Sequence, residues 1–266
     1  MTPYLEIGYG DLVLAALLLV INIALSVVLR LGLSRDLLVA SARMTVQLLL
    51  VGLVLDWVFA TRNPWIIVAM AVLMAAFAGV AAVNRTARRF PGVYWNSLVV
   101  IMASSFLVTG FALTGVLRVD PWFDPQYLIP LLGMLLGNAL NGISLGLDRF
   151  VEGCVGGRRR IEAFLSLGAT RWEAARHDVQ EAMRVGLIPV VNSMMIMGVV
   201  SLPGMMTGQI LAGADPADAV RYQILIMFMI ASCVALATLG VVLLAYQTLF
   251  DERHRLRIGK VRRAGE

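Results

Sequence analysis

The chain has 266 residues, 59% hydrophobic and only 15% charged, with a mean hydropathy of +0.83 and a formal charge of +5. A soluble domain is about one quarter charged and half apolar, and one domain of this length cannot enclose so much apolar side chain, so a water-soluble globule, a coiled coil, a disordered chain and a nucleic-acid module are excluded. The lipid bilayer is the required solvent, and the basic excess then reports a cytoplasmic face.

The first eleven residues carry Glu6 and Asp11 and no basic residue before a long apolar run. That is the wrong polarity and length for a cleaved signal peptide, so the first apolar segment is expected to remain as a membrane helix. Stretches able to cross about 30 Å at about 1.5 Å per residue fall at 12–33, 37–60, 64–83, 93–117, 127–147, 186–210 and 220–249. The expectation is an all-α integral membrane protein, one transmembrane domain over 1–266, with seven membrane-spanning helices. Turn-forming dipeptides punctuate the connections, among them Asn63-Pro64, Asp120-Pro121, Asp124-Pro125 and Asp215-Pro216. Cys154 and Cys233 sit in unrelated contexts and give neither a disulfide framework nor zinc spacing.

Assigning alternate connections to opposite sides separates the basic residues sharply. Eighteen fall on one side and only Arg62, Arg118 and Arg221 on the other, with Arg43 inside a span. The sparse side also holds Glu6, Asp11, Asp56, Asp120, Asp124, Asp215 and Asp218. By the positive-inside rule the N-terminus lies outside and the C-terminus in the cytoplasm; the expected location is a plasma (bacterial inner) membrane.

Polar residues inside the spans are few. Arg43 lies about two turns into the second span with Gln47 one turn further on the same face; it either snorkels to the headgroups, lines a pathway or pairs with the cytoplasmic loop between spans five and six. Asn138 and Asn141 share a face of the fifth span, where Gly133, Gly137, Gly142 and Gly146 make two small-residue spacings suited to helix packing. The amides need partners in hydrocarbon, so they mark an interhelical hydrogen bond or a polar pathway.

Between spans five and six, about 155–185, lies the main extramembrane element. Ile161, Phe164, Leu165 and Leu167 give one amphipathic helix, Gly168-Ala169-Thr170 breaks it, and a second begins at Arg171. Such a hairpin is either a headgroup-bound surface element, aided by Arg158, Arg159 and Arg160, or a docking device. Span six contains Pro203-Gly204, where the helix should kink or open. Met194, Met195, Met197, Met205 and Met206 surround that break, as core packing or as soft ligands lining a route for substrate.

No Gly-rich loop ends in a lysine, the sole lysine being Lys260 in the basic tail 251–266, so the chain is expected to bind no ATP. No carboxylate or histidine lies deep in a span, which disfavours proton-coupled transport.

The segment Glu162-Ala163-Phe164-Leu165-Ser166-Leu167-Gly168-Ala169-Thr170-Arg171-Trp172 resembles the EAA loop of ABC-transporter permeases. Ala42–Leu48, Gly137–Gly142 and the run Asn192–Gly213 resemble, more narrowly, the FetB/YbbM-type permeases implicated in iron export, with plant relatives linked to aluminium tolerance. The resemblance implies a seven-span permease whose cytoplasmic coupling hairpin, through Glu162, Ala163, Leu167, Gly168, Ala169, Thr170 and Trp172, docks on a separate ATPase subunit. It implies two copies of this chain and two ATPase subunits, with ATP and magnesium on the partner and no cofactor on this chain. It also implies export of a metal ion such as iron, along a candidate pathway of Arg43, Gln47, Asn138, Asn141, Asn192, Ser193, Met194, Met195, Pro203, Gly204, Met205, Met206 and Gln209. The metal ligands are not readable. The rival class is a membrane scaffold or receptor that recruits a cytoplasmic partner without transport.

Overall fold

The computed structural model describes residues 8–61 and 63–263; Glu6, Arg62 and the last three residues of the basic tail lie outside them. In chain order the elements are α1 (Tyr9–Val28), α2 (Ser34–Thr61), α3 (Pro64–Asn84), β1 (Arg88–Arg89), α4 (Val93–Phe111, continued by a π-helical turn Ala112–Val116), α5 (Pro125–Gly156), α6 (Arg158–Ser166), α7 (Arg171–Ile196), α8 (Gly204–Leu211), α9 (Pro216–Leu249) and β2 (Arg262–Arg263). They fall into two compact units. One is built on the segment before Asn63 with Leu211–Gly213, the other on Asn63–Ile210 and the chain from Ala214 onward.

In the first unit α1 and α2 pack on each other. The turn between them is tight because Arg30 and Gly32 take left-handed backbone angles and the Ser26 hydroxyl accepts the Leu33 N–H at 3.1 Å. Their apolar side chains are largely exposed, as befits helices solvated by lipid.

The second unit is a bundle of α3, α4, α5, α7 and α9. Several punctuating dipeptides prove to be helix starts: Asn63, Asp124 and Asp215 each accept a backbone N–H of the following turn, and a proline occupies the first helical position after each. The helix directions follow from which residues meet. Ser97 of α4 donates to the Gly79 carbonyl of α3 at 3.1 Å, and Ser105 of α4 meets Cys233 of α9 at 3.6 Å. Gly142 and Gly146 of α5 press against Val234 and Thr238 of α9 and lie beside Gly186 and Ala182 of α7. Thus α3, α5 and α9 run one way, while α4 and α7 run the other. A Cβ on Gly142 or Gly146 would come within 2.6 Å of α9 side chains, whereas Gly137 faces open space. The packing role expected of the four glycines therefore belongs mainly to two of them.

Among the described residues six helices, α1 to α5 and α9, are long and apolar enough to cross a membrane, which makes the chain a multi-pass membrane protein. The stretch 186–210 departs from expectation because it is not one helix. The first half of α7 is polar, and its apolar half includes Pro189 without ending there and runs to Ile196. A turn then closes with Gly198 at φ 82° donating its N–H to the Ser201 carbonyl at 2.9 Å, and α8 begins only at Gly204. The opening expected at Pro203-Gly204 thus begins at Met197, and Pro203 immediately precedes a new helix, a place where its missing N–H costs nothing.

Candidate functional site

The hairpin is assembled from local signals. The chain bends at Gly157, and α6 buries Ile161 completely while Arg158 and Glu162 pair on its outer face at 2.7 Å. Its C-terminus is closed by two reversed bonds, Gly168 N–H to Leu165 O at 3.2 Å and Ala169 N–H to Phe164 O at 3.0 Å. That pattern is a Schellman cap, and it requires a left-handed residue at Gly168, found at φ 91°. Two residues on, Thr170 and Glu173 form a capping box that starts α7: the Glu173 N–H donates to Thr170 Oγ1 at 3.3 Å, and the Thr170 N–H donates to Glu173 Oε2 at 2.8 Å. These bonds hold the Glu173 carboxyl below the usual glutamate range. One helix is therefore stopped and the next started within four residues.

The hairpin is fastened to the bundle at both arms. From α6, one guanidinium nitrogen of Arg160, Nη2, reaches both carboxylate oxygens of Asp178 on α7, at 2.7 and 2.6 Å, and Asp178 is only 6% exposed. Gly153 of α5 backs this pair, since a Cβ there would lie 2.8 Å from Asp178 Oδ1. From α7, the Arg171 N–H donates to His254 Nδ1 at 3.0 Å, and Trp172 packs edge-on against Tyr246 of α9 with centroids 5.7 Å apart. Trp172, one of the residues the resemblance implies for docking, thus has its partner within the chain on α9. Asp251, just past α9, accepts the Arg255 N–H and meets Arg257, which lowers its carboxyl below the ordinary aspartate range. Glu162 and Ala163 remain exposed, and the tip presents apolar surface: Phe164 is 48% exposed, Leu167 84% and Trp172 44%.

The pathway candidates are only partly brought together. Asn141 Oδ1 accepts from Arg85 Nη1 of the α3–α4 connection at 2.6 Å, beside Asp148, which accepts the Ala87 N–H at 2.9 Å. Arg85, Asn141, Ser144, Asp148 and Pro189 line a cavity of about 330 Å³. Asn138 satisfies its amide within its own helix, on the Met134 carbonyl at 2.8 Å. Asn192 and Ser193 lie exposed on α7, the serine donating to the Pro189 carbonyl.

At the break, Met194, Met197, Met206, Gln223 and Met227 line a mostly apolar cavity of about 470 Å³. Gln223 Nε2 lies 3.8 Å from Met197 Sδ, while the Oε1 atoms of Gln223 and Gln209 are buried without partners. Met195 is exposed and, like Met205, does not line this cavity. Within the first unit, Arg43 and Gln47 share an exposed face of α2 with Arg35 and Asp36. Among the described residues no group of three or more His, Cys, Asp or Glu side chains is placed to hold a metal.

Sequence reasoning missed the Arg160–Asp178 pair, the His254 acceptor, Tyr246 and Gln223. Each depends on segments that meet only once the chain has folded, for which no local spacing is a signal.

These features, a multi-pass helical bundle with a capped helical hairpin and a broken helix, define a polytopic helical membrane protein. Residues 9–250 match the profile described as "Uncharacterised protein family (UPF0014)", and the chain belongs to that family. It is 40% identical over 228 residues to the UPF0014 membrane protein slr1647 of Synechocystis, covering 86% of this chain and 88% of that one. It is 31% identical to the "Probable iron export permease protein FetB" of Escherichia coli (95% and 96% covered) and 34% identical to the "Protein ALUMINUM SENSITIVE 3" of Arabidopsis thaliana (91% and 88% covered). No solved structure matches the chain.

Proposed function

We propose that this chain is the membrane subunit of an ABC exporter for a metal ion, iron first, working as two copies with two separate ATPase subunits. The observation that carries this reading is the hairpin. Its EAA-like sequence is folded as a rigid, doubly capped helix–turn–helix with an apolar tip, and it is clamped to α7 by Arg160–Asp178 and to α9 by Trp172–Tyr246. A partner that moves the tip would thereby move two bundle helices as one body. In this reading the hairpin, the α3–α4 connection and the tail lie in the cytoplasm and the N-terminus outside, because the basic residues gather at that end of the bundle. The broken stretch 186–210, from the apolar half of α7 through α8, serves as the seventh crossing, and the relative named a probable iron export permease supplies the substrate class.

The test is co-expression with a candidate single-domain ABC ATPase, sought first among the genes adjoining this one, followed by co-purification and reconstitution in liposomes. The reading predicts a stable four-subunit complex whose ATP hydrolysis rises with ferrous ion and which depletes the ion from the ATP side. Recruitment of the ATPase without ion-stimulated hydrolysis or ion movement would favour the scaffold reading and overturn transport.

A further inference from the structure

The basic tail does not trail away from the bundle. After α9 the chain turns back, with the Arg257 N–H bonded to the Leu249 carbonyl at 2.8 Å, and β2 pairs with β1 as an antiparallel ladder, Arg88 opposite Arg263 and Arg89 opposite Arg262. Four arginines therefore face one another across two short strands. Like charges directly opposite in a ladder repel, and among the described residues none of the four pairs with a carboxylate. The Arg89 Nε is buried without an acceptor, its guanidinium lying 5.7 Å from the Tyr94 ring. Arg88, Arg262 and Arg263 line a cavity of about 290 Å³ whose floor is Val155, Ile258 and Val261. A self-repelling ladder becomes a chelating one when an anion sits between the forks, and planar guanidinium forks match phosphate oxygens.

The depth of the site identifies the anion's source. β1 lies in the short connection between α3 and α4, both long and apolar enough to cross the bilayer, and α4 opens with Tyr94 and Trp95, the latter 68% exposed. Aromatic residues at the end of a span mark headgroup level. We propose that the β1–β2 clasp binds the phosphate of an anionic phospholipid headgroup, stapling the C-terminal tail to the α3–α4 connection. The apolar floor accepts the glycerol end of the lipid, and attraction to anionic lipid brings the headgroup to the arginines.

The test uses the full chain purified in a neutral detergent and titrated with short-chain phosphatidylglycerol, short-chain phosphatidylcholine or inorganic phosphate. Bound lipid is counted by native mass spectrometry and thermal unfolding is followed in parallel. Phosphatidylglycerol should bind at least about tenfold more tightly than phosphatidylcholine, raise the unfolding temperature, and resist displacement by equimolar phosphate. Arg88→Gln/Arg263→Gln should abolish this preference, Arg263→Gln alone, at an exposed strand end, should weaken it severalfold, and Arg158→Gln/Arg159→Gln should leave it intact. Equal binding of the two lipids, an unchanged preference in the Arg88 and Arg263 variants, or displacement by equimolar inorganic phosphate, which marks a soluble-anion site, would overturn the proposal. So would neutralisation of the clasp only by a co-expressed protein partner, with no response to lipid.

Discussion

Arg160 is one of three consecutive arginines, and nothing in their immediate sequence distinguishes it. Arg158 pairs with Glu162 at the surface, but Arg160 turns inward onto a carboxylate eighteen residues away. Removing the arginine strands a buried charge, a loss of about 3–5 kcal/mol for fully enclosed pairs; the guanidinium is 40% exposed, so about 1–3 kcal/mol is expected for Arg160→Ala. Asp178→Asn should cost less, because it leaves a half-exposed arginine that water can reach. Thermal unfolding in detergent of both single variants and of Arg160→Met/Asp178→Leu, which should recover most of the loss, checks this. The sequence spacing that reads Gly168 and Thr170 correctly is blind to such a pair, since caps are local and helix–helix contacts are not.

Glu173 supplies a residue-scale pH dependence. Hydrogen bonds from Thr170 hold its carboxyl below the ordinary value of 4.5 in the folded chain. A depressed carboxylate contributes stability above its unfolded pKa and loses it as pH falls through the folded value. Protease resistance of the hairpin should therefore be flat from neutral pH to about 5 and decline below the ordinary value, and Thr170→Val should remove that decline. An undiminished acid decline in the Thr170 variant would assign it to other carboxylates, Asp251 first.

Among the elements, the hairpin was almost wholly legible and the broken helix only partly so. The break at Gly168-Ala169-Thr170 and the start at Arg171 fall where the structure ends α6 and begins α7, while the Thr170–Glu173 box, equally local, was not picked out in advance. Pro203 marks a helix boundary, yet Pro189, equally visible in sequence, sits inside α7 without ending it. The difference lies in Gly198, whose left-handed backbone closes the turn before Pro203 is reached. Gly168→Val should cost about 1–2 kcal/mol through its φ of 91°. Because both arms of the hairpin remain tied to α7 and α9, membrane insertion should persist while the tip loses its shape. Tryptic cleavage at Arg171, faster in the variant at equal expression, measures this.

At the scale of the molecule, the tightest packing is where α5, α7 and α9 meet. Gly142, Gly146, Gly186 and Thr238 bring three helices together without intervening side chains, and a Cβ on Gly186 would stand 2.7 Å from Thr238 Cγ2 and 2.9 Å from the Gly142 carbonyl. Backbone cannot yield as a flexible side chain can, so Gly186→Val should destabilise by about 1–3 kcal/mol, with Gly137→Val, facing open space, near neutral in the same melting assay. The spacing in α5 announces close packing but not the partner, which is why Gly186, flanked by Val185 and Leu187, was not picked out in advance. The same antiparallel arrangement gathers Arg85, the β1–β2 clasp, the hairpin and the tail at one end of the bundle, with Arg118 and Arg221 toward the other. The charge asymmetry read from the sequence is thus a property of the folded bundle as well.

The central claim is that the hairpin tip is the docking point for an ATPase that drives transport. Leu167, 84% exposed and held beside the Gly168 cap, makes few contacts the fold needs. Leu167→Asp should leave folding and melting temperature unchanged, because it removes no buried surface, and should abolish the apolar contact that docking requires. Co-purification of a candidate single-domain ABC ATPase with wild-type and Leu167→Asp chains, at equal membrane expression, is the direct measurement. The account predicts a stoichiometric complex with the wild type and at least a tenfold loss of bound ATPase with the variant; equal recovery of the ATPase with both chains would contradict it.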